Sequence, residues 1–268
     1  MFGRIFAVAS NTRKEAFRNR AFTVMLILGV LLNVAGWALA KLAISSQTAR
    51  VMQNFGHFSV FLVTAMSAIL MGIILLHKEL DRKTIFTLIP KPVRRYEIVL
   101  GKFVGLSTLL TGQVFLLGLA WYLFLGWHDA LHVAEQPIST EILKALVLLS
   151  LEATLITSVA LVFSSWTRPF LSGVFTFGYF LMGHSIFLLN EHLGARSGVL
   201  SEEGPLRSVA TVVTYVVPDL NQFNISDHFA AGRIVGWEHV LDCAGYAFSF
   251  SAIFLAIAVI LFTRRDFV

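Results

Sequence analysis

The sequence predicts an all-α polytopic membrane protein with six transmembrane helices, an N-terminal interfacial amphipathic helix and a short cytoplasmic helix between the second and third spans. Three observations carry this fold class. Hydrophobic residues fill 56% of the 268 positions and charged residues only 14%, where soluble domains carry about 25% charged residues. The apolar residues fall in runs near the ~20 residues that cross about 30 Å of hydrocarbon as a helix. Basic residues cluster beside alternate ends of these runs, the pattern that sets membrane topology.

Residues 2–20 come first. On a helical wheel Phe2, Ile5, Phe6, Ala9, Ala16 and Phe17 fall within about 120° of arc. Arg4, Asn11, Lys14, Glu15 and Arg18 fall on the other side, with Arg13 as the exception. This reads as a helix lying on the cytoplasmic leaflet, its basic residues toward anionic headgroups. The plainer alternative is a cytoplasmic tail whose charges serve topology alone. The apolar run that follows is too long for a signal-peptide core and lacks a clear cleavage site, so it is expected to stay as a span.

The expected spans are 21–43, 58–77, 101–125, 142–166, 169–189 and 241–263. Their orientation follows from charge. Arg4, Arg13, Lys14, Arg18 and Arg20 precede the first span. Lys78, Arg82, Lys83, Lys91, Arg94, Arg95 and Lys102 lie between the second and third. Arg168 sits between the fourth and fifth, and Arg264 and Arg265 follow the sixth. These are 15 of the 21 Lys and Arg residues, all on one side, so both termini are expected in the cytoplasm of a bacterium whose inner membrane holds the chain. The 190–240 connection is then the largest extracytoplasmic piece. Within it, apolar Val209 to Val217 ends at Pro218. It is too short to span and reads either as a re-entrant or interfacial helix or as a small helix packed outside the bundle.

The cytoplasmic loop from 78 to 100 is unusual. A plain connector would be polar, yet Ile85, Phe86, Leu88 and Ile89 stand among many charges. Apolar residues on a small element of this kind dock on something. Pro90 and Pro92 stop the first helix, and a second begins near Val93 and runs into the third span. A partner pushing on this element moves two spans together.

These residues resemble the permeases of ABC-2 type exporters. That family shows a Glu, a Gly-Thr pair, an apolar stretch, Pro-Val, an Arg and a closing Gly-Lys. Here stand Glu79, Thr84, residues 85–89, Pro92-Val93, Arg95, Glu97 and Gly101-Lys102, with Lys83 where Gly is common. The basic N-terminal helix, Ser164-Ser165 before a short turn and Pro169, and the Arg-Arg-Asp-Phe tail extend the likeness. Pro218-Asp219-Leu220 with Phe223-Asn224 looks like the branch that includes the permease for copper-enzyme maturation of nitrous oxide reductase.

The resemblance implies a type V exporter-like fold and a coupling helix in the 78–100 loop. It also implies a separate ABC ATPase dimer that binds ATP and Mg, and a second permease copy or paralogue to complete the pathway. Glu79, Arg82, Thr84, Ile85, Phe86, Pro92 and Arg95 are the expected ATPase contacts. The chain itself is expected to hold no cofactor and no catalytic residue. It has no Gly-x-x-x-x-Gly-Lys-[Ser/Thr] loop to cradle phosphates, since Gly101-Lys102 runs into Phe103 without the upstream Gly.

Inside the bundle, Glu152 near the middle of the fourth span and His184 in the fifth are the ionisable candidates. Such groups face a partner or a cavity, so each reads either as a pathway residue or as a packing contact. Gly101-x-x-x-Gly105 permits close helix approach. The single cysteine, Cys243, rules out an internal disulfide. His57, His128, His132, His192, His228 and His239 are all expected outside, and only His128 and His132 have i, i+4 spacing, so no metal site is expected. Membrane topology explains the net charge of +5 better than nucleic-acid binding does. Two alternatives accompany the exporter reading. One is a membrane subunit that transmits ATP-driven motion to an extracytoplasmic partner. The other is an intramembrane enzyme, for which His184-Ser185 is the only hint. Neither Gly-x-Ser-x-Gly nor His-Glu-x-x-His is present.

Overall fold

Among the described residues, six helices are long and apolar enough to cross a membrane. The computed structural model describes residues 2–42, 48–81, 94–127, 132–133, 136–137, 139–194, 211–214, 216–226 and 235–264. An N-terminal helix α1 (Phe2–Phe17) precedes α2 (Arg20–Ala40), α3 (Thr48–Asp81), α4 (Arg95–Trp127), α5 (Ser139–Trp166), α6 (Pro169–Gly194) and α7 (Trp237–Arg264). Between α4 and α5, His132–Val133 and Gln136–Pro137 form a two-residue antiparallel pair.

Local chemistry fixes the helix starts. Asn19 caps α2, its side-chain oxygen accepting from the Ala21 amide at 2.9 Å, so one otherwise unbonded first-turn donor is satisfied. Glu97 reaches back to accept from the Arg94 amide at 2.9 Å, one half of a capping box for α4. Pro169 opens α6, where a missing N–H costs nothing.

The second span, α3, differs from expectation. It begins at Thr48, ten residues before the expected start at 58. Its first turns contain Gln53 and His57, whose polarity hides them from a hydropathy window. Both are buried, as is Met52, and the His57 ring lies 6.1 Å from that of Trp121 on α4. Protein covers these polar groups, so they need not face lipid. His57 is thus inside α3 and not on an outer loop. His239 likewise belongs to α7.

Burial sorts the helices. In their most apolar stretches α3 and α5 are each 72% buried, α4 44%, α6 and α7 28%, and α2 22%. The first two form the centre; α2, α6 and α7 present most of their surface outward, where lipid solvates it. Val60, Val63, Leu110, Leu117, Leu149 and Ile156 belong to the shared core. Small residues let the central pair approach: a Cβ on Gly72 would stand 2.6 Å from the Ala160 Cβ. Gln113 on α4 donates to Ser67 on α3 at 2.9 Å. Thr157, Ser158 and Ser165 donate to carbonyls of their own helix, so these hydroxyls cross the apolar interior satisfied.

The apolar arc of α1 is divided between two surroundings. Ala9, Thr12 and Ala16 are buried against α4. Gly101 and Gly105 form the seat: a Cβ at Gly101 would lie 2.6 Å from Val8 Cβ, and one at Gly105 would lie 2.6 Å from the Ala9 carbonyl oxygen. Phe6 and Phe17 point away, 71% and 63% exposed. The Gly-x-x-x-Gly pattern therefore receives α1 and not another span.

Candidate functional site

Two regions gather polar residues of the bundle, one at the end of the central helices that carries the basic residues and one near their middle. At the end that carries the basic residues, seven side chains tie α1, α3, α4, the α5–α6 turn and α7 together. Lys78 Nζ lies 2.5 Å from Glu15 Oε1, joining α3 to α1. Buried Lys102 donates to the Leu75 carbonyl, joining α4 to α3. The buried His77 ring has Nδ1 3.0 Å from Ile73 O and Nε2 3.0 Å from Thr167 O, reaching the turn between α5 and α6. Ser164 and Ser172 share a hydrogen bond at 3.0 Å across that turn. Arg95 Nη1 donates to Thr263 O at 2.9 Å, joining the start of α4 to the end of α7.

Of the residues expected to contact an ATPase, only Arg95 has a described side chain. The backbone of Glu79 lies within α3. Its side chain, together with Arg82, Thr84, Ile85, Phe86 and Pro92, lies outside the described residues. The ties flanking that loop are the new feature. Sequence reading placed Lys78 and Lys102 among the topology charges and gave His77 no role. The available signal was Lys102 itself, a cation within the apolar stretch Ile98 to Leu106.

The second region lies deeper. Glu152 on α5 and His184 on α6 meet: His184 Nε2 stands 2.9 Å from Glu152 Oε1. Phe61 and Phe180 wall the imidazole edge-on, with ring centroids 5.1 and 4.8 Å away. Glu152 is 2% exposed, and its Oε2 has no hydrogen-bond partner among the described residues. A buried carboxylate with one satisfied oxygen is costly, so this pair either fixes helix packing or keeps Oε2 for a proton or a passing polar group. Ser185, the next residue, donates to Leu181 O of its own helix at 2.9 Å. Neighbouring positions on a helix point apart, and His184 and Ser185 do not form a base–nucleophile pair.

A segment with a single 3-10 turn, Asn221–Phe223, packs on α6 beside His184 from the far end. Val217, Leu220, Phe223 and Ile225 are buried. The Leu220 amide donates to Gly183 O at 3.1 Å, and a Cβ on Gly183 would collide with the Leu220 side chain at 2.7 Å. The Asp219 amide donates to Tyr246 Oη at 2.9 Å. Tyr179 Oη donates to Val216 O at 3.0 Å. Gln222 O lies 3.0 Å from His239 Nε2 and 3.6 Å from Cys243 Sγ. Irregular backbone is tolerated at membrane depth only where protein satisfies it, and here α6 and α7 do so. Burial raises the Asp219 carboxyl above its ordinary value, opposed by the Asn221 amide and by the charge of His184. The inserted stretch is thus 217–225. Residues 211–214 before it are helical, with Val212 61% exposed.

Among the described residues, no group of three or more His, Cys, Asp or Glu side chains is placed to hold a metal. His132 lies in the two-residue strand His132–Val133 and not on a helix. His128 and His228, and the side chain of His192, lie outside the described residues. A family model described as "ABC-2 family transporter protein" matches residues 6–267 of the chain. No curated protein matches the sequence.

Proposed function

The chain belongs to the ABC-2 family of transporter proteins, which makes it a multi-pass permease subunit, and on that premise we propose that it couples ATP hydrolysis by a separate ABC ATPase dimer to export across a bacterial inner membrane. Both termini lie in the cytoplasm in this reading, and a second permease copy or paralogue completes the pathway. ATP and Mg belong to the ATPase.

One observation carries the coupling role: the helix ends that flank the 82–93 loop are cross-tied to the rest of the bundle. The loop joins α3 to α4, and from there Lys102, His77, Arg95 and Lys78 connect to α3, the α5–α6 turn, α7 and α1. A displacement of the loop therefore moves five elements and not two. The ATPase shifts the permease between states only by binding them with different free energies, and the loop is where that difference enters. The matched family model covers the family as a whole, so the nitrous oxide reductase maturation branch remains a proposal that rests on Pro218-Asp219-Leu220 and Phe223-Asn224 alone.

Phe86→Asp tests the reading. It places a charge on the proposed docking face, where burial without a partner is costly. The variant inserts normally and recovers less than about a tenth of the ATPase that co-purifies with the parent chain. Undiminished recovery removes the loop from the coupling path.

A further inference from the structure

At the basic end, the last turns of α1, the first turn of α2 and the last turn of α3 enclose an open cleft of about 630 Å³. Lys14, Arg18, Arg20 and Lys78 line it, with Glu15 as the one acidic residue among the described residues that line it. Glu15 is already engaged by Lys78 at 2.5 Å. Among the described residues, Lys14, Arg18 and Arg20 have no ion-pair or side-chain hydrogen-bond partner. Among the described residues, three cations therefore face one cleft with no acidic partner of their own. The N-terminus of α2, capped by Asn19 on the cleft wall, adds the positive end of its helix dipole. Asn11 and Asn19 contribute neutral polar groups.

The depth of the cleft selects its occupant. Arg20 is the first residue of a candidate span. Val24 and Ile27, one and two turns further on, are 58% and 54% exposed, and Phe17 beside Arg18 is 63% exposed. The charges thus sit where the apolar surface begins. A soluble protein meets only the polar side of that boundary, whereas a phospholipid has a phosphate on one side and acyl chains on the other. We propose that this cleft binds the phosphate headgroup of an anionic phospholipid, with its chains lying along Phe17, Val24 and Ile27. The bound lipid neutralises the cations and fastens α1 to the bundle where α2 enters the membrane. The inference does not rest on the transport reading or on the orientation of the chain.

The full chain, purified in mild detergent, is titrated with phosphatidylglycerol and with phosphatidylcholine of the same acyl chains and followed by native mass spectrometry. One phosphatidylglycerol binds per chain with clear preference over phosphatidylcholine. The Lys14→Gln/Arg18→Gln/Arg20→Gln variant weakens that binding on the order of a hundredfold, the summed effect expected of three cations at a membrane surface. Glu15→Gln frees Lys78 and tightens it, which keeps the test decisive if the triple variant fails to fold. Arg264→Gln, away from the cleft, leaves it unchanged. Equal binding of the two lipids, or full phosphatidylglycerol binding by the folded triple variant, overturns the proposal. So does displacement of the lipid by millimolar glycerol phosphate, which identifies a free-anion site. A triple variant that keeps its lipid but loses the co-purifying ATPase overturns it too, by assigning the cleft to protein docking.

Discussion

Glu152 and His184 stand 32 positions apart in the chain and 2.9 Å apart in the bundle. Each is legible in the sequence as an ionisable group within an apolar run. Their pairing is not, because nothing local relates the middle of one helix to the middle of the next. The pair makes a sharp stability prediction. His184→Leu leaves the carboxylate buried with neither oxygen bonded and lowers stability by about 1–3 kcal/mol. Glu152→Gln keeps an acceptor for His184 and costs under ~1 kcal/mol. The double variant Glu152→Leu/His184→Leu is more stable than His184→Leu alone, since no buried charge remains. Thermal unfolding of the detergent-solubilised protein measures all three. A double variant less stable than either single one contradicts the pairing. If the double variant is stable but no longer supports the proposed ATPase-driven export, the pair belongs to the pathway and not to packing alone.

Among the elements, α1 departs furthest from what periodicity predicts. The wheel gives it one apolar arc, which reads as a single lipid-facing surface. In the fold that arc serves two neighbours: Ala9 and Ala16 are buried in the bundle, and Phe6 and Phe17 are exposed. Helical spacing reports which residues share a side and says nothing about what each half of that side meets. The Gly101-x-x-x-Gly105 seat decides it, because only Gly lets the α1 backbone close on α4. Gly105→Ala puts a methyl group 2.6 Å from the Ala9 carbonyl oxygen and 2.9 Å from Thr12 Cβ, and a helix backbone cannot yield locally. Amide hydrogen exchange across residues 5–16 is expected to rise about tenfold, with residues 139–166 unchanged. Unaltered exchange in α1 means that the helix is held elsewhere.

For the whole molecule, the placement of charge predicts a topology that a reporter can read. Alkaline phosphatase, active only outside the cytoplasm, is expected to be active when fused after Trp127 or Gly194 and inactive when fused after Asp81 or Trp166. The reverse pattern overturns the orientation, and with it the placing of the 82–93 loop beside a cytoplasmic ATPase. The cross-ties at the basic end belong to this scale too. Arg95 and Thr263 lie 168 positions apart, and their bond makes the first turn of α4 and the last turn of α7 respond together.

Composition and run length by themselves determine that this is a helical membrane protein, because hydrocarbon admits few other solutions to the backbone hydrogen-bond problem. The Glu79 to Lys102 motif is enough to point to the family. Both follow from local sequence, where the solvent is uniform and the spacing is short. Only the tertiary structure decides what covers each polar group. It extends α3 back to Thr48 by burying Gln53 and His57, and it joins Glu152 to His184. It also inserts 217–225 beneath the far end of the bundle and leaves Lys14, Arg18 and Arg20 facing one cleft. In each case the deciding contact comes from a different helix. In a bilayer any apolar face is equally comfortable against lipid or protein, so hydropathy cannot tell which neighbour a face will meet.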